Sequence, residues 1–130
     1  MNISENFVDF SLSESRKGLY CVIEYTKDNV IALDRAITIS VHKAAYERMG
    51  VKKFVIVLNN GVVFTKESKE FFGRPGELEN MKYIAVYVED TKKWANNLLN
   101  FFHKFKNNPT TRYFGSFGAC IFWIEQQTVN

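Results

Sequence analysis

The side chains from which a catalytic centre could be built are few, and their spacing limits them further. Histidine occurs twice, at His42 and His103, each inside a segment with helical periodicity and neither in a nucleophile motif. Nucleophilic catalysis needs a hydroxyl or thiol within reach of a base, so no catalytic residue is assigned and the chain is not expected to be an enzyme. The pairs Glu67/Glu70 and Glu77/Glu79 have the chemistry for acid–base work, but helix and loop surface charges account for them. Phe114 to Gly118, FGSFG, would bring backbone N–H groups to an anion at a helix start. It lacks the spacing of a phosphate or dinucleotide loop, and Ser116 reads there as a helix cap. Cys21 and Cys120 lie in apolar surroundings, LYCVIEY and GACIFWI, as small core residues in a reducing compartment. Neither their number nor their spacing makes a metal site, and no cofactor is expected.

Two segments remain as candidates for interaction rather than catalysis. The first is VIVLNNGVVFTKESKEFF, Val55 to Phe72, where an apolar strand turns through Asn59-Asn60-Gly61 into a helix opening at Thr65. Thr65 is expected to cap that helix through its side-chain oxygen. The second is the long helical pattern TKKWANNLLNFFHKFK. Its apolar stripe Trp94, Leu98, Phe101, Phe102 and Phe105, widened by Leu99, exceeds a narrow packing seam. These five residues are the candidate partner-binding or ligand-binding face, suited to a homodimer, another protein or an apolar, lipid-like ligand. Lys92, Lys93, Lys104, Lys106 and Arg112 cluster around it with no acid between Asp90 and Glu125. That asymmetry suits an anionic partner or headgroup, although lysines near a helix C-terminus also offset its dipole.

The elements that must position these residues follow from periodicity. Phe7 to Leu12 alternates, Ser13 to Gly18 supplies a turn, and LYCVIEYT is a second strand. Val30 to Leu33 is a shorter extended piece, completing what reads as an antiparallel meander. Asp34 is expected to cap a first helix whose apolar positions are Ala36, Ile37, Val41, Ala44, Ala45 and Met49, ending at Gly50. Phe54 to Leu58 and Tyr83 to Val88 are continuous apolar runs, as expected of adjacent central strands buried on both faces. Gly73-Arg74-Pro75-Gly76 stops the second helix. Asp90 or Thr91 opens the long one, which ends before Asn107-Asn108-Pro109. A short strand at Arg112 to Phe114 then precedes a last helix from Ser116 to about Gln127.

A chain of 130 residues with 46% hydrophobic and 15% aromatic content is expected to form one domain, 1–130, with a substantial core. A net charge of +3 is too small to imply a polyanion, and nucleic acid is not an expected partner. No run approaches the ~20 apolar residues that span a bilayer, and the N-terminus lacks the pattern of a signal peptide. The expected location is the cytoplasm. A meander followed by alternating strands and helices places the fold in the α/β class, bordering on α+β. It would be a mixed sheet with about four helices mainly on one face.

The order FVDFSLSES…GLYCVIEYTKDNVIAL, the Asp34 helix, FVIVLNN before the Thr65 helix, YIAVYVED before WANNLLNFFHKF, and the closing TRYFGSFGACIFWIE together resemble the small bacterial STAS-like, or STAS/SEC14-type, family. That family is distantly similar to the anti-sigma-factor antagonists, and the resemblance spans Phe7 to Gln127. It implies a regulatory protein-interaction module, with a carrier or sensor of an apolar ligand as the alternative. It also implies that the junction from Val63 to Ser68 matches the site at which such antagonists carry a phosphorylated serine, which makes Thr65, Lys66 and Ser68 a candidate regulatory loop. Here Lys66 stands near the acceptor position and Glu67 beside it, where the family pattern has small hydroxyl residues and a glycine.

Overall fold

The computed structural model describes residues 1–88 and 110–129. Its main sheet contains β1 (Asn2–Ser4), β2 (Val8–Ser15), β3 (Gly18–Tyr25), β5 (Lys53–Leu58), β7 (Tyr83–Val88) and β8 (Thr110–Phe114), in the order β1-β2-β3-β5-β7-β8. The first three strands pair antiparallel and the remaining pairings are parallel. This is the expected mixed sheet, with β5 and β7 adjacent and inside it. Two-residue strands β4 (Val30–Ile31) and β6 (Val63–Phe64) form a separate parallel pair. The VIAL segment therefore leaves the meander, because its backbone partner comes from after β5.

The apolar runs of β5 and β7 are continuous because both faces are covered. Successive strand side chains point to opposite faces. Phe54, Leu58, Ile84 and Val86 join one core with Cys21 and Ile23, while Val55, Val57 and Ala85 join another with Tyr20. Over the first core lie α1 (Leu33–Arg48), α2 (Lys66–Phe72) and the single turn α3 (Pro75–Leu78). The second is covered by α4 (Phe117–Gln126) through Cys120 and Ile124. Three of the four described helices thus share one face. The turn α3 follows the expected helix stop, with Pro75 at its first position, where a missing N–H costs nothing.

Helix α1 differs from expectation in its start and in its rotation. Its N-cap is Ala32 with no side-chain hydrogen bond, and Asp34 lies in the first turn. There the carboxylate still favours the positive end of the helix dipole. The buried row is Ala36, Ile39, Lys43 and Tyr46. Ile37, Val41 and Met49, counted in the helix's apolar pattern, are 45%, 61% and 45% exposed. Lys43 joins the buried row with its ammonium on Glu77, and the row of Ile37 and Val41 faces solvent.

The turns holding β4 against β6 depend on one glycine. Gly61 has φ +80°, and a Cβ at this position would run into the Asp28 carboxylate and backbone. Asp28 N donates to Asn60 O at 3.0 Å, locking the two loops together.

Candidate functional site

The β6–α2 junction is built by backbone and hydroxyl groups acting together. Val63 N donates to Asn29 O at 3.0 Å and Thr65 N to Ile31 O at 3.1 Å, which fixes the chain entering α2. Thr65 is the N-cap, its Oγ1 accepting from Ser68 N at 3.2 Å, and Ser68 Oγ donates back to Thr65 O at 2.9 Å. Ser68 is fully buried, Thr65 is half-buried and Lys66 is exposed. A phosphate could reach Ser68 only if the first turn of α2 opened. Thr65→Ala is expected to lower the unfolding free energy by about 0.5–2 kcal/mol, as loss of a cap does. Denaturant unfolding monitored by far-UV circular dichroism measures it; an unchanged midpoint would mean that the cap is replaced by water.

Between the sheet and α1–α3 lies an apolar cavity of about 60 Å³. Ile23, Ile56 and Ile84 form its floor, Ile39 and Phe72 its walls, and Lys43 and Lys69 its polar lining. The volume exceeds the ~10–15 Å³ that holds a water molecule but is far below the ~300–1,000 Å³ of an ordinary ligand pocket. Only a small group fits without movement of the helices.

One edge of this cavity is fastened by charge. Lys43 Nζ donates to Glu77 O, lies 3.2 Å from Glu77 Oε2 and touches Met81 Sδ at 3.7 Å. Ser40 Oγ donates to Glu77 Oε1 at 2.7 Å. Glu77 Oε2 has no hydrogen-bond partner among the described residues, so its attraction to Lys43 is charge on charge. Burial raises the Glu47 carboxyl above its ordinary pKa, Lys43 opposes that shift, and Glu77 adds to it. Together these groups clasp α3 onto α1.

The outer face of α1 carries the clearest departure from an ordinary surface. Leu33, Ile37 and Val41 are spaced four apart, forming one row along the helix, and all are exposed. Three residues before Leu33 stands Val30, whose Cα partner across the small sheet is Val63. Both valines are 54% exposed. The apolar row thus begins beside Thr65 and runs along α1. The sequence reading counted Ile37 and Val41 in the apolar pattern of α1 without separating them from its buried row. The available signal was their position roughly 200° around the helix from Ile39 and Lys43, at 100° per residue.

The thiols and histidine lie apart. Cys21 and Cys120 are free and buried, and burial pushes each thiol up to about 12. His42 Nε2 sits 2.9 Å from Glu5 Oε1, joining α1 to the β1–β2 loop. Ser116 caps α4 as expected, accepting from Ala119 N at 3.4 Å. Among the described residues no cluster of His, Cys, Asp or Glu could hold a metal ion. No described helix is long and apolar enough to cross a membrane. The expected binding face Trp94, Leu98, Phe101, Phe102 and Phe105 lies outside the described residues.

No protein-family model matches the sequence, and no curated protein matches it significantly. The structure is similar to the crystal structure of an uncharacterised DUF3478-family protein with a SpoIIAA-like fold from Shewanella loihica PV-4. The TM-score is 0.60 at 12% sequence identity, covering 94% of this chain and 98% of that one. At that identity the likeness speaks for the fold alone. The chain has the SpoIIAA-like, STAS-type fold.

Proposed function

We propose that the chain is a non-catalytic regulatory module of the STAS-like fold that acts by binding another protein through the outer face of α1. The observation carrying this reading is the exposed row Leu33, Ile37 and Val41, continued by Val30 and Val63 at the mouth of the Thr65 loop. Single exposed apolar side chains are ordinary, whereas several on one helix row and on the strand pair preceding it in the chain are the usual mark of a protein contact. Its position beside the capped start of α2 supports a regulatory role, since a charge added at Thr65 would fall at the edge of the contact. The non-catalytic part is supported by Ser68, Cys21 and Cys120 all being buried and by His42 being bonded to Glu5. Two free buried thiols fit a reducing cytoplasm.

A second reading, a carrier or sensor of an apolar ligand, is favoured by the cavity and its two lysines. Its present volume ranks it below the protein contact. Affinity purification of wild type against Ile37→Glu and Val41→Glu tests the first reading, because both changes suit a helix and lie on the surface. A partner held stoichiometrically by wild type and lost by both variants is the expected result. Equal retention would remove α1 from the contact, and a small apolar molecule recovered without any protein would favour the second reading. A second copy of this chain is included among the proteins this face could take, and the mass in solution distinguishes it.

A further inference from the structure

On the side of the sheet where β3 begins and β5 begins, a second cavity of about 250 Å³ opens between the β2–β3 turn, the end of α1 and the last residues of the described chain. Among the described residues, Lys17, Lys52 and Lys53 line it with Gly18, Leu19, Gly50 and Val129, and no acidic side chain does. We propose that this cavity binds a small anion of the phosphoryl class, held by the ammonium groups of Lys17, Lys52 and Lys53.

Three observations converge on that assignment. Lys53 is only 1% exposed, and its Nζ spends one donor on Gln127 O at 3.2 Å. An ammonium has three donors, so two remain. Lys17 Nζ likewise donates to Gln126 O at 3.0 Å. Closing the end of α4 explains Lys17 and Lys53 but not Lys52, whose ammonium has no partner among the described residues. Glu125, whose carboxylate acts on Lys53, also accepts from Tyr20 O–H at 2.9 Å. Burial lowers the Lys53 pKa, Glu125 pulls against that, and Lys17 lowers it further. Lys17, Lys52 and Lys53 thus gather positive charge at this cavity, with Glu125 offsetting part of it at Lys53.

The walls leave room for the anion. Gly18 and Gly50 have φ +114° and +93°, and where a Cβ would stand at either there is no heavy atom within 4 Å. Bare backbone thus borders the cavity on two sides. Ammonium groups act as point charges towards phosphoryl oxygens and need no planar match. This volume is large for inorganic phosphate alone and small for a nucleotide, which favours a small phosphomonoester.

The test is calorimetric titration of the full chain with inorganic phosphate and with glycerol phosphate, at ionic strength held constant with chloride. Saturable binding is expected, weakened about tenfold by Lys52→Ala, as for loss of one charged hydrogen bond, and retained by Lys52→Arg. Lys52 is exposed, so the variant leaves the fold in place, and unchanged thermal unfolding would confirm that. Tighter binding of glycerol phosphate would identify an ester as the ligand; equal or tighter binding of phosphate would identify the free anion. No saturable binding of either, or binding unaffected by Lys52→Ala, would overturn the proposal.

Discussion

Phe54→Ala is expected to lower the unfolding free energy by about 3–5 kcal/mol, the cost of deleting a fully buried aromatic side chain and leaving its cavity. Phe54 is 0% exposed, on a strand flanked by β3 and β7, and points into the core beneath α1–α3. Domains of this size are stable by only about 5–15 kcal/mol, so the variant should sit close to unfolding at room temperature. Guanidinium denaturation measures it. A loss below about 1 kcal/mol would mean that the helices collapse into the space, and that β5 is not the rigid centre of the sheet.

The clasp between α1 and α3 should respond almost as strongly, and in a way that separates charge from packing. Glu77→Gln keeps the shape and an oxygen for Ser40 but removes the charge facing Lys43. Taking away one partner of a buried pair costs about 3–5 kcal/mol, because the remaining charge is stranded. Glu77 is partly exposed at 16% of its side chain, so the expected loss is about 3 kcal/mol, the lower end. Lys43→Met combined with Glu77→Gln should recover most of it, since no charge is then left stranded. The double-mutant cycle in denaturant is the measurement, and additive losses would contradict the clasp.

Lys43 also explains what could and could not be read from the sequence. Strands β5 and β7 were legible because burial on both faces leaves an unbroken apolar run. The caps at Thr65 and Ser116 were legible because the capped N–H lies three residues along the same chain. The core face of α1 was not. Its buried row contains a lysine and a tyrosine, while the row that looked apolar faces solvent, and the buried lysine's partner, Glu77, lies 34 residues away. β4 was misplaced for a related reason. Two residues carry no alternation of their own, and their pairing is set by β6. Lys53 gave no sign of burial, because the carbonyl that receives it comes from the far end of the chain. Local pattern encoded the elements, whereas the rotation of α1, which exposes the surface proposed for binding, was not encoded in the spacing of its apolar residues alone.

The most direct test of the central claim is therefore the stoichiometry of partner capture by wild type and by Val41→Glu, measured on natively purified protein by mass spectrometry. Val41 is 61% exposed on α1, so the change should leave stability within about 0.5 kcal/mol. The account predicts one defined protein, another chain or a second copy of this one, bound stoichiometrically to wild type and lost from the variant. A partner bound equally by both proteins would contradict it.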